Sequence, residues 1–169
     1  MKKTLERLNE LVEIGIISKY AIAGGLAHFY YIEPSVTYDL DIIISFKIEP
    51  NKLMPLKSIY DWAKKSNYEL IGEHINIEGI PVQFLPAYNK LVEEALEKSK
   101  KIQLFNVTTF ILPAEYLMSM MLQTGRAKDK ERLIKFFEDA KFSEKIFDEI
   151  IKRFDLLEKY KDFKRRYFE

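Results

Sequence analysis

Cysteine is absent from the 169-residue chain, which excludes thiol catalysis, zinc–thiolate sites and disulfide scaffolds together. Histidine is nearly absent: His28 and His74 are the whole supply. A His-rich metal site is therefore not expected, and a bound cation falls to oxygen ligands, which suit Mg²⁺ or Mn²⁺. Charge of one sign is lacking too. Lys and Arg total 27 against 26 Asp and Glu, a formal net charge of +1. That balance argues against a dedicated non-specific nucleic-acid binder, although local patches remain open. No apolar run approaches the ~20 residues of a membrane span. Met1-Lys2-Lys3 leads into an amphipathic pattern without the apolar centre of a signal peptide. The expectation is a soluble, cytoplasmic protein without membrane association.

Hydrophobic residues, at 47%, are plentiful, with twelve Phe and ten Tyr. That is enough to pack one domain without staples. Apolar spacing predicts helices over 4–15, 26–32, 55–66 and 89–98, with Thr4 able to cap the first, Gly15 to end it, and Glu33-Pro34 to close the second. Strands are predicted over 20–23, 38–45, 69–77, 80–85 and 103–112. The second of these, YDLDIIIS, is too apolar for a sheet edge. From Pro113 onward the pattern is helical, over 113–124, 128–140, 143–154 and 156 to about 167. The chain reads as an α/β core over residues 1–112 with a C-terminal helical subdomain over 113–169, the two sharing one core.

Asp39 and Asp41 stand two apart on a predicted strand, so both side chains leave one face about 6.5–7 Å apart. Two carboxylates roughly 6 Å apart repel by about 2–3 kcal/mol at an effective dielectric near 20. A divalent cation bridging them is the simplest compensation; a strand end whose acids face water is the alternative. Gly24-Gly25 sits between a predicted strand and a predicted helix. Glycine there either serves the turn sterically or lets a phosphate approach the helix N-terminus. Asp39 lies fourteen residues beyond Gly25, and together the motifs set a phosphate cradle beside a cation site, as nucleotidyl transfer requires.

The pattern hydrophobic-Gly24-Gly25, a short spacer, then Asp39-hydrophobic-Asp41-hydrophobic, resembles the signature of the polymerase-β-type nucleotidyltransferase superfamily. The local form Thr37-x-Asp39-x-Asp41 is similar to the branch of AbiEii-type abortive-infection toxins and related nucleotidyltransferase-like proteins. A helix opening at Pro113-Ala114-Glu115 and running to Gly125-Arg126-Ala127-Lys128-Asp129 matches that branch downstream. The resemblance implies a mixed sheet flanked by helices, a nucleoside triphosphate held with Mg²⁺ (or Mn²⁺), and a protein or RNA acceptor. It also implies a toxin partnered by a protein antitoxin. On it, Asp39 and Asp41 are the catalytic metal ligands, and Gly24, Gly25 and Thr37 join the nucleotide site. A third acid is expected within Pro81-Val82-Gln83-Phe84, where Gln83 stands instead. Glutamine can offer a metal one oxygen but cannot take a proton as a base; Glu73 or Glu78 can substitute, or the domain has kept the fold and lost turnover.

Arg126, Lys128 and Lys130 can reach phosphates, or pair locally with Asp129 and Glu131. Glu115 suits the first turn of its helix, and Met118, Met120 and Met121 suit core packing. His28 is expected buried and hydrogen-bonded, with a place in the phosphate cradle as the alternative. The basic run 159–166 reads as a solvated helix with an apolar seam.

Overall fold

A computed structural model describes residues 1–32, 39–47 and 54–168. Thr37, Tyr38 and the Glu33-Pro34 stop lie outside the described residues. The isoleucine-rich segment forms β2 (Leu40–Ser45) at the centre of a seven-stranded mixed sheet. The other strands are β1 (Lys19–Ile22), β3 (Glu69–Ile71), β4 (His74–Ile77), β5 (Ile80–Pro86), β6 (Lys100–Leu104) and β7 (Val107–Ile111), in the order β3-β4-β5-β2-β1-β7-β6. β2 runs parallel to β5 and antiparallel to β1. The helices are α1 (Lys2–Glu13), α2 (Gly24–Tyr31), α3 (Lys57–Lys65), α4 (Lys90–Glu97), α5 (Ala114–Thr124), α6 (Ala127–Asp139), α7 (Glu144–Arg153) and α8 (Leu157–Tyr167).

Two predicted strands are hairpins. The stretch 69–77 turns at Gly72, whose φ is +60°, and 103–112 belongs to a β6–β7 pair turned at Phe105-Asn106, with φ of 50° and 60°. Apolar periodicity continues through both turns, so the alternation alone did not reveal them. Thr4 does not cap α1, which begins at Lys2; its buried hydroxyl donates to the Ile77 carbonyl at 3.2 Å. The helix after β1 starts at Gly24, two residues earlier than predicted.

Register sorts the side chains. Tyr20 opposes Ile44 and Ile22 opposes Ile42, so these and Leu40 share one face. α1 covers it with Leu5, Leu8 and Leu11, all fully buried. Tyr20 Oη donates to Asn9 Oδ1 at 2.7 Å, and Asn9 Nδ2 to the Thr108 carbonyl at 2.9 Å. Asp41 and Ile43 point to the other face, beside Gln83 and Leu85 of β5. Ile43 is buried as well, so β2 is covered on both sides there, as a central strand should be. α4 packs on β1, β2 and α5, and α5 carries α6, α7 and α8. The hydrophobic core is continuous from α1 to Phe163 of α8. Among the described residues no helix is long and apolar enough to cross a membrane.

Candidate functional site

The glycine turn and the acid strand meet in direct contact. Gly24 has φ of +54°, and a Cβ placed on it would fall 1.7 Å from Asp41 Oδ2 and 2.8 Å from Asp41 Cβ. The Ala23 N–H donates to the Asp41 carbonyl at 2.9 Å, so backbone as well as side chain holds β2 against the start of α2. Only glycine fits this position. Gly25 is buried in the first turn of α2 without a left-handed φ.

Asp41 lies within β2, whereas Asp39 occupies a bend just before it, its side chain 48% exposed. Burial pushes the Asp41 carboxyl above the ordinary range, and the charge of Asp39 pushes it further; Arg132, His74 and Lys128 oppose the shift. Asp41 pairs with Gln83 of β5, and Gln83 with His74 of β4, in one row across three strands. The Pro81-Val82-Gln83-Phe84 segment thus lies beside Asp41. Gln83 Nε2 donates to Glu73 Oε2 at 2.8 Å, leaving its carbonyl oxygen available. Glu78, by contrast, accepts from Tyr68 Oη at 2.8 Å and Arg7 Nε at 3.3 Å, and its carboxyl is held down by both. It serves α1 and the β4–β5 turn.

This donor set suits a hard cation: two carboxylates and a carboxamide, oxygen throughout, with like charges that a cation would relieve. Among the described residues no group of three or more His, Asp or Glu side chains could hold a metal ion by itself. Phosphate oxygens and water would have to complete the shell.

The α5–α6 junction supplies the cations. Gly125, in the left-handed region at φ 64°, ends α5, and its N–H donates to the Met121 carbonyl at 2.8 Å. Arg126 is the N-cap residue of α6: Asp129 Oδ2 accepts its backbone N–H at 3.3 Å and its Nε at 2.8 Å, and Asp129 Oδ1 accepts Nη2 at 3.2 Å. The local pairing of Arg126 is therefore real, yet the guanidinium stays 76% exposed and Asp41 is within its electrostatic reach. Lys128 and Arg132 both act on Asp41. Arg132, missed in the sequence, stands one helical turn beyond Lys128, and that spacing was the available signal. Lys130 instead lines a small cavity of about 210 Å³ with Lys159, Arg166 and Tyr167.

His28 is buried, but among the described residues neither ring nitrogen has a hydrogen-bond partner, which corrects the expectation of a satisfied histidine. Its ring meets Phe136 edge-on at 5.5 Å, and burial, then Arg132 and Lys135, lower its pKa to about 4. His74 Nε2, also without a hydrogen-bond partner among the described residues, lies 3.8 Å from Asp39 Oδ2; nothing in the sequence linked the two. Glu115 is buried in the first turn of α5 and accepts the Ser143 N–H at 2.8 Å. Met118 and Met121 are buried, and Met120 packs against the core.

No protein-family model matches the sequence, and no curated protein matches it. Solved structures do. The chain is similar to an antigenic nucleotidyltransferase-like protein from Paracoccidioides brasiliensis, at 12% identity and a TM-score of 0.54, over 79% of this chain and 75% of that one. It is likewise similar to the antibiotic-resistance factor ANT(2'')-Ia in solution, at 10% identity and a TM-score of 0.54, over 96% and 94%. At such identities the likeness concerns the fold, and the fold is nucleotidyltransferase-like.

Proposed function

We propose that this chain binds a nucleoside triphosphate with Mg²⁺ (or Mn²⁺) and transfers its nucleotidyl group to a hydroxyl of a protein or RNA acceptor. The observation that carries the reading is the seating of Asp41 on Gly24, with Asp39 before it and Gln83 beside it. In such a site the α2 N-terminus and Gly24, with Lys128 and Arg132 opposite, would receive the triphosphate. Asp39, Asp41 and the Gln83 carbonyl would hold the cation, which when bound neutralises phosphate charge and lowers the pKa of the attacking oxygen. The acceptor hydroxyl gives its proton to solvent as its oxygen bonds to the α-phosphorus, the bond from that phosphorus to the bridging β-phosphate oxygen breaks, and pyrophosphate leaves. A role as a toxin with a protein antitoxin rests on the sequence resemblance alone.

A second reading has a specific observation behind it: Gln83 cannot take the acceptor's proton, and its amide is engaged by Glu73. A nucleotide-binding module without turnover would look like this. Each nucleoside triphosphate, labelled at the α-phosphate, should be offered with Mg²⁺ to RNA and protein acceptors. Label transfer that Asp41→Asn abolishes supports the enzyme. Calorimetric binding without transfer supports the module, and transfer gained by Gln83→Asp identifies it as a degenerate enzyme. Absence of both binding and transfer for all nucleotides would end the proposal.

A further inference from the structure

Tyr88 is the most exposed large hydrophobic side chain among the described residues, at 61%. Mobility of its loop does not account for that, because the backbone is clamped on both sides. The Ala87 N–H donates to the Ile44 carbonyl at 3.0 Å. Asn89 Oδ1 accepts the Val92 N–H at 2.9 Å, capping α4, while Asn89 Nδ2 donates to Gln123 Oε1 at 2.9 Å, near the end of α5. A rigid loop thus holds an aromatic ring in solvent, and the ring pairs with no other aromatic ring among the described residues.

The location is informative. β5 runs from Gln83, in the acid row, to Pro86, about 10 Å along the strand, and Tyr88 follows two residues later. Asn89 ties this loop to the segment that leads through Gly125 into Arg126. Arg126 is within electrostatic reach of both Tyr88 and Asp41, and its guanidinium plane is fixed by two bonds to buried Asp129. Phosphate-seeking groups, Gly24, Lys128 and Arg132, gather about Asp41. Two residues past the end of β5 stands an exposed phenol ring, and within electrostatic reach of both it and Asp41 is a fixed, exposed guanidinium, flat surfaces of the kind on which bases stack.

We infer that Tyr88 is the stacking platform for the nucleobase, so that the site selects a nucleotide by its base as well as its polyphosphate. The inference rests on the nucleotide-binding reading above and names a specificity residue for it. Stacking accepts any base face and depends on ring area, so purine nucleotides should bind more tightly than pyrimidine ones.

The full chain, as wild type, Tyr88→Phe and Tyr88→Ala, is to be titrated calorimetrically with ATP and with inorganic tripolyphosphate, each with Mg²⁺. Removing the ring should weaken ATP binding about tenfold, in the range seen for base–aromatic stacking. Tyr88→Phe should stay within about twofold of wild type, and tripolyphosphate should bind all three proteins alike, about within twofold. Tyr88→Trp should report ATP by fluorescence quenching that tripolyphosphate does not produce, since the single native tryptophan, Trp62, is buried. Wild-type ATP affinity in Tyr88→Ala would overturn the assignment while leaving the nucleotide site standing. A parallel loss for tripolyphosphate would also overturn it, because the ring would then be supporting the phosphate site. If wild type binds neither ligand, the nucleotide reading fails and Tyr88 falls with it.

Discussion

A Cβ at Gly24 would collide with both the carboxylate and the Cβ of Asp41, so rotating the aspartate cannot relieve it. Gly24→Ala should cost roughly 2–4 kcal/mol from overlap and the left-handed φ together, and it should remove nucleotide binding; urea unfolding and calorimetry check the two parts. Replacing Asp39 and Asp41 with asparagine has the opposite stability sign. Without a cation the double variant should be as stable as wild type or slightly more so, because the carboxylate repulsion is gone. It should show none of the thermal stabilisation that Mg²⁺ and ATP confer on wild type. His28 gives a pH test. The fold favours its neutral imidazole, with a pKa near 4 against 6.5, so an unfolded chain takes up the proton first as pH falls. Its contribution is whole above pH 6.5 and is lost towards pH 4, a difference of up to roughly 3 kcal/mol. His28→Phe should flatten the urea midpoint across that window.

Among the elements, the β6–β7 turn places Phe105 and Asn106 at φ of 50° and 60°, a conformation that suits an Asn-Gly pair. Phe105 is 53% exposed and strained there. The double change Phe105→Asn and Asn106→Gly should raise stability by about 1 kcal/mol, seen as a higher melting temperature with unchanged nucleotide affinity. The same hairpin shows where sequence patterning stops being informative. Helix stripes such as Leu5-Leu8-Leu11 and the central Ile42-Ile43-Ile44 were readable because burial imposes a period or a run. Hairpin turns at Gly72 and at Phe105-Asn106 were not, since one or two residues of positive φ leave the apolar alternation intact. Glycine at 72 was a hint; phenylalanine at 105 was none.

Across the whole molecule, α4 and α7 are joined through Glu94, which accepts from Arg153 Nη1 at 2.8 Å and is also bonded by Arg153 Nη2 and Tyr116 Oη. Arg153, then Tyr116, hold its carboxyl down at about 2 despite some burial. That stabilisation is present above the unfolded carboxylate range near 4.5 and lost as pH falls towards 2, a window below that of His28. Arg153→Ala should cost about 1–2 kcal/mol and lower hydrogen-exchange protection in α7 and α8 before the sheet. Residue type and local spacing were enough to read the chemistry on offer: oxygen donors without thiolates, a glycine pair, two aspartates two apart, a glutamine on a later strand, and most element boundaries. Tertiary structure alone decided that Asp41 rests on Gly24, that Arg132 and His74 flank it, that Arg126 is held by Asp129, and that Tyr88 stands exposed beyond the acid row. Strand register and helix docking set those distances between residues far apart in the chain, and no local pattern encodes them.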